Sequence, residues 1–197
     1  DEMIRRVHNG DIGRIVAAQL YYNAGGGGGA KPAVEDDEFR IRHHFQYLEL
    51  SGGTLNDQAV HMMDICREVL QANPLYAMGH SSRKGVKCEY GNFNTNYQIL
   101  YKYPEDINVM VQQTSVGAAT GGVVARFFGE NGTLVLDRAG WEVIPVVANK
   151  EARMEAIPFK KGEGKGLYNH VGNMLSCIKS RELPNADIAI GARVAKM

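Results

Sequence analysis

FNTNYQILYKYPEDINVMVQQTSV (residues 93–116) reads as two strands joined by a tight turn, and the architecture follows from that reading. Aromatic and β-branched residues are frequent in both arms, and Pro104-Glu105-Asp106 supplies the turn. Polar and apolar residues alternate along each arm, the period of a strand with one buried and one wetter face. Enough aromatic, Val and Met side chains are present to leave both faces partly apolar. Working outward, PLYAMGHSSR (74–83) comes before. GVVARFFG (122–129) and TLVLD (133–137) come after and flank Glu130-Asn131-Gly132, whose Asn-Gly is a strong hairpin signal. WEVIPVV (141–147) is one more strand. Strands this close in sequence pair as hairpins, because a parallel pairing needs a long crossover between them.

The flanks are helical. Residues 1–9 (DEMIRRVHN) form a helical pattern stopped by Gly10, and IGRIVAAQLYY (12–22) follows as a strand. RIRHHFQYLEL (40–50) leads into a helix beginning near residue 52, and GLYNHVGNMLSCIKSRELP (166–184) is a second, stopped near Pro184. This order predicts an α+β fold: a mostly antiparallel open sheet with helices packed on one face, residues 1–197 forming a single domain. Residues 23–38 (NAGGGGGAKPAVEDDE) lack periodicity and read as a long Gly-rich loop. Asp1 opens directly into a helical pattern and GARVAKM (191–197) stops inside another, which reads as a piece of a longer protein.

Charge is balanced, with 22 basic and 22 acidic residues, so nothing drives the chain electrostatically toward nucleic acid or a membrane surface. No apolar run approaches the roughly 18 residues of a spanning helix. Cys66, Cys88 and Cys177 are too few and scattered for a disulfide framework or a zinc site. They read as reduced thiols, which favours a cytoplasmic setting. No Gly-x-Gly-x-x-Gly lies between a strand and a helix, and the glycine run at 25–29 is followed by Lys31-Pro32 and acidic residues rather than by a helix start. Any nucleotide the chemistry needs is expected to bind elsewhere.

GGTLNDQAVHMMD (52–64) carries the chemistry. At about 100° per residue, Asp57, His61 and Asp64 fall on one stripe of a helix, and Leu55, Ala59, Met62, Cys66 and Val69 on the opposite one. A carboxylate beside an imidazole favours its charged form and orients the ring, and such a histidine accepts a proton from a hydroxyl near neutral pH. The same spacing suits a solvated helix face with Asp57 near the positive helix start. A divalent-metal site drawing on His43 and His44 is a third reading, though no full ligand signature such as HExxH is present.

Gly-Gly-x-Leu-x-Asp-x-x-x-His-x-x-Asp, here Gly52 through Asp64, resembles the active-site helix of the glucose–fructose oxidoreductase / inositol dehydrogenase / MocA family. Asn9-Gly10-Asp11-Ile12-Gly13-Arg14-Ile15 resembles the entry into that family's C-terminal domain. FFGENGTLVLD (127–137) resembles its glycine hairpin, and NHVGNMLSCIKSRELPNAD (169–187) its late helix and turn. The resemblance covers about residues 4–194. It implies an oxidoreductase in which an N-terminal Rossmann domain, absent from this chain, binds NAD or NADP. Asp57 and His61 then fall on the catalytic pair, with His61 as general acid/base toward a sugar or polyol hydroxyl, and Asp64 on a neighbouring orienting residue. The family's catalytic lysine belongs to the Rossmann domain, and Lys31 is not its counterpart. Arg42, His44 and His170 are candidate substrate contacts, each also readable as surface decoration.

The expected partners are a carbohydrate or polyol substrate, the chain's own Rossmann domain and further copies of itself through the sheet face. On its own the chain should fold without binding NAD. Two other functions stay open: a glycosidase that oxidises its sugar transiently with NAD, and a non-catalytic binding or oligomerisation module.

Overall fold

The computed structural model describes residues 2–24, 29–30, 32–85, 88–116, 122–146, 156–162 and 166–197, with the backbone alone at 166–168. Gly25–Gly28 and Lys31 of the long loop, and Val147 of the expected WEVIPVV strand, lie outside the described residues. The described elements run α1 (Glu2–His8), β1 (Ile15–Asn23), α2 (Asp37–Arg42), a single turn α3 (Leu48–Ser51) and α4 (Val60–Leu70). Then come β2 (Tyr76–Ser82), β3 (Asn96–Lys102), β4 (Asn108–Thr114), β5 (Val123–Gly129), β6 (Gly132–Asp137), β7 (Gly140–Pro145) and β8 (Ile157–Lys161). Helices α5 (Gly166–Ser180) and α6 (Ile188–Val194) close the order.

The eight strands form one open sheet in the order β2-β3-β4-β1-β5-β6-β7-β8. Every pairing is antiparallel except β1 with β4. The fold is therefore the α+β class expected, with an antiparallel hairpin series on each side of a central strand taken from the start of the chain. The turn at Pro104–Asp106 and the hairpin at Asn131-Gly132 join β3 to β4 and β5 to β6. β3 begins at Asn96, three residues later than the FNTN start suggests, because Phe93 turns into a separate small core with Tyr47, Cys88 and Tyr90. β8 was not apparent in the sequence.

Strand alternation sets the two faces. Ala18, Leu20 and Tyr22 of β1, Val109 and Val111 of β4, and Val123, Ala125 and Phe127 of β5 are buried in the main core. Against them lie Met3 and Val7 of α1, Met62, Met63, Cys66 and Val69 of α4, and Val194 of α6. Ala59, Met62, Cys66 and Val69 thus occupy the core as the apolar stripe predicts, and half-buried Leu55 packs at its margin. Burial pushes the Cys66 thiol up to about 12, so it behaves as a small apolar side chain beside the Tyr103 hydroxyl. On the opposite sheet face, at its β2 side, Tyr76, Met78 and Leu100 are exposed. Helix α5 contributes nothing to the main core from its described side chains, and Val171, Met174, Leu175 and Ile178 are exposed.

Candidate active site

The start of α4 is positioned by three local devices. Gly52 and Gly53 both take positive φ, 72° and 77°, which ends α3 and redirects the chain. Thr54, fully buried, donates from Oγ1 to Oε1 of Gln113 on β4 at 2.7 Å, and Gln113 Nε2 donates to Ser115 Oγ at 2.8 Å. The backbone then passes through a π-helical turn, Leu55–Ala59, closed by Val60 N–H on the Leu55 carbonyl. Such turns insert one extra residue and recur at functional sites. The sequence period predicts a plain α-helix here. The departure has a physical cause: Thr54 is tied to the sheet while Ala59 must sit in the core.

The π turn presents Asp57 to solvent, and the first turn of α4 presents His61 the same way. Among the described residues no hydrogen bond joins His61 to Asp57 or Asp64. The imidazole instead lies beside Tyr22 of β1, with ring centroids 6.3 Å apart and planes tilted by 33°. Asp64 is half-buried. Its carboxyl is raised above the ordinary carboxylate value chiefly by burial, then by Glu68, while Arg67 and His61 pull it down. Its Oδ1 has no hydrogen-bond partner among the described residues, nor have Oε1 of Gln58 and Oδ1 of Asn23. An open cleft of about 450 Å³ between α4 and α6 is lined by His61 and Asp64 on one side and by Asn185, Asp187 and Ile188 on the other.

The other candidates lie apart from this stripe. Arg42 ends α2 and is paired with Glu38 one turn earlier, at 2.8 Å. His43 is stacked on Phe39, with centroids 4.0 Å apart, and its Nδ1 lies 2.9 Å from the Phe39 carbonyl. His44 is exposed in a one-turn 3-10 helix, and His170 is exposed on α5. None of Arg42, His44 and His170 lines the α4–α6 cleft. Among the described residues no group of three or more His, Cys, Asp or Glu side chains converges to hold a metal ion. Sequence reasoning missed Tyr22 and Arg138. Tyr22 shares a strand face with buried Leu20, and its Oη accepts from Arg138 NH2 at 2.6 Å. The only signal available was Tyr22's place at the end of β1.

The geometry defines an α+β domain in which α4, carrying His61 and Asp64, packs on the central strands of an open sheet. Residues 1–135 match the GFO/IDH/MocA C-terminal domain family, and the chain belongs to that family. Comparison with curated proteins found no match. Among solved structures, the chain is similar to an oxidoreductase domain protein from Kribbella flavida, at 15% identity and a TM-score of 0.73, covering 98% of this chain and 57% of that one. It is similar to levoglucosan dehydrogenase in complex with NADH and levoglucosan, at 15% identity and a TM-score of 0.71, covering 98% and 57%. It is also similar to aldose-aldose oxidoreductase from Caulobacter crescentus complexed with glycerol, at 15% identity and a TM-score of 0.64, covering 99% and 54%. The chain thus spans little more than half the length of these structures. Among the described residues, no helix is long and apolar enough to cross a membrane.

Proposed function

We propose that this chain is the substrate-side catalytic domain of an NAD(P)-dependent oxidoreductase acting on a sugar or polyol hydroxyl. One observation carries the reading: in a chain of this family, a π turn and the first turn of α4 bring Asp57 and His61 to solvent, and His61 opens on a cleft. Levoglucosan dehydrogenase with its sugar and the glycerol-bound aldose-aldose oxidoreductase support the substrate class.

The described residues offer no strand–glycine turn–helix cradle for a pyrophosphate, so the nucleotide is assigned to a Rossmann domain elsewhere in the full-length protein. A nicotinamide, when bound, supplies the hydride acceptor. This chain's own residues handle the proton. His61 takes it from the substrate hydroxyl, with Asp57 exposed one turn earlier on the same stripe. Tyr22 walls the ring on its sheet side. Asp64, held in a partly dry position, is a positioning group rather than a second base. The open sheet face, with Met78 and Leu100 exposed on adjacent strands, is assigned to self-association.

The test is the full-length protein with His61→Ala. Loss of a general acid/base typically costs ~10²–10⁴-fold, and it should appear in kcat with the fold intact by circular dichroism. Near-native kcat on the protein's own substrate would overturn the assignment.

A further inference from the structure

Arg138, like Arg5, Arg126, Arg181 and Arg193, forms no ion pair with a described carboxylate, and among these it is the one held against Tyr22. Arg6, Arg14, Arg40, Arg42 and Arg67 each form an ion pair with a carboxylate, and Arg83 is spent on the carbonyls of Cys88, Tyr90, Gly91 and Phe93. Arg138 forms no ion pair with any described carboxylate. Its neighbour Asp137 is turned back on its own loop, where Oδ1 accepts from the N–H groups of Ala139 and Gly140 at 2.7 and 2.9 Å. The guanidinium is nevertheless held. One N–H donates to the Tyr22 hydroxyl at 2.6 Å, and Cζ lies 5.4 Å from the centre of the Tyr22 ring.

That same ring is the one His61 packs beside. Tyr22 is buried, so it is a fixed post with a cation on its hydroxyl and the candidate base on its ring. The loop carrying Arg138 reaches this post because β5 and β6 bring Asp137 opposite Val124, whose neighbour Val123 pairs with Tyr22. A guanidinium has five N–H donors in a planar fork that matches carboxylate or phosphate oxygens. Here only one donor is engaged, by a neutral group. The side chain is ordered but not neutralised, so less rotamer freedom remains to be lost when an anion arrives.

We propose that Arg138 receives an acidic group of the substrate, so that the sugar or polyol handled by His61 carries a carboxylate or a phosphate. This deepens the reading of His61 as the acid/base and rests on it. The His61 ring centre lies 6.3 Å and the Arg138 Cζ 5.4 Å from the centre of the Tyr22 ring, and one sugar derivative is proposed to bridge them. The acidic group anchors on the guanidinium, and the ring presents a hydroxyl to the imidazole. Tyr22 is then a positioning residue for both.

The test compares, on the full-length protein, a panel of hexoses, their uronates and their 6-phosphates, with binding read by calorimetry before NAD is added and turnover by initial rates once it is. An acidic member of the panel should bind at least tenfold more tightly than its neutral parent, with uronate against phosphate naming the acidic group. Arg138→Gln should erase that preference, raising KM for the acidic sugar about 10–100-fold and that for the neutral sugar far less. Tyr22→Phe, which keeps the ring and removes the anchor, should weaken acid binding less than Arg138→Gln does. The proposal is overturned if no acidic sugar outbinds its parent. It is equally overturned if Arg138→Gln weakens acidic and neutral sugars alike, since the arginine would then only support Tyr22. Because binding is read without turnover, a failure of the His61 assignment shows separately, as near-native kcat in His61→Ala.

Discussion

Thr54 Oγ1 donates to Gln113 Oε1 at 2.7 Å between two fully buried side chains, tying the segment that leads into α4 to the middle of the sheet. The same hydroxyl lies 3.2 Å from the Asn94 carbonyl, and Gln113 passes the chain on to Ser115. Thr54→Val keeps the shape and strands the glutamine carbonyl. An unpaired buried acceptor costs about 1–3 kcal/mol, which at this chain length is roughly 2–4 °C of Tm per kcal/mol. Gln113→Leu should cost a similar amount, and the double variant less than the two together. Urea denaturation of all four proteins measures the coupling; strictly additive losses would show that the bond does not hold the helix.

Gly53 is constrained twice. Its φ is +77°, and a Cβ there would stand 2.7 Å from the Tyr97 hydroxyl and 3.0 Å from Leu48 Cδ1. Gly53→Ala should therefore lose more than the ~1–2 kcal/mol of the left-handed backbone alone. Placing the same substitution in a Tyr97→Phe background should return part of the excess, because only the hydroxyl contact disappears. Thermal melts of the single and double variants check this, and equal losses in both backgrounds would exclude the clash.

The features legible in the sequence are the ones encoded locally. The β5–β6 hairpin falls where Glu130-Asn131-Gly132 marks a turn, although neither Asn131 nor Gly132 takes positive φ, and the Ala59–Met62–Cys66–Val69 stripe needs only helical spacing. The spacing of Asp57, His61 and Asp64 was legible for the same reason. The place of β1 was not. Its parallel pairing with β4 joins Leu20 to Val111, and no local period encodes a partner so far along the chain. β8 escaped notice because IPFKK is short, holds a proline and two lysines, and sits at the sheet edge, where such residues blunt further pairing. The π turn depends on Thr54 meeting Gln113, and the Tyr22–Arg138 pair spans 116 positions. Both are products of tertiary packing, so neither leaves a mark in the spacing of residues.

Asp64 should make stability depend on pH in an unusual direction. Burial raises its carboxyl above the ordinary value of 3.8, so between the unfolded and folded values the native state binds the extra proton. Stability contributed at this site then falls as pH rises through that window, the reverse of a paired carboxylate. Asp64→Asn removes the penalty. The variant should be more stable than the parent at pH 7, and the difference should shrink as pH falls toward 4. Chemical denaturation at several pH values measures the gap. A gap that widened on acidification would mean that Asp64 is stabilised in its charged form.

The open face of the sheet offers the last test. Met78 of β2, Leu100 of β3 and Met110 of β4 are register partners in one row, and Met78 and Leu100 are exposed. The row continues into Gln19, Arg126 and Val135, so its apolar end is the β2 side. There Met78, His80, Leu100 and Gln112 line an open groove of about 420 Å³. Apolar side chains grouped on one surface gain from being removed from water, by about 25 cal/mol per Å², and a second copy of the same face presents the same row in return. Leu100→Glu places a charge in the middle of that row without touching the core on the other face. It should weaken self-association at least tenfold in sedimentation equilibrium while leaving circular dichroism and Tm close to the parent. If the parent protein is monomeric at high concentration, or if Leu100→Glu associates as before, the sheet face is not the interface.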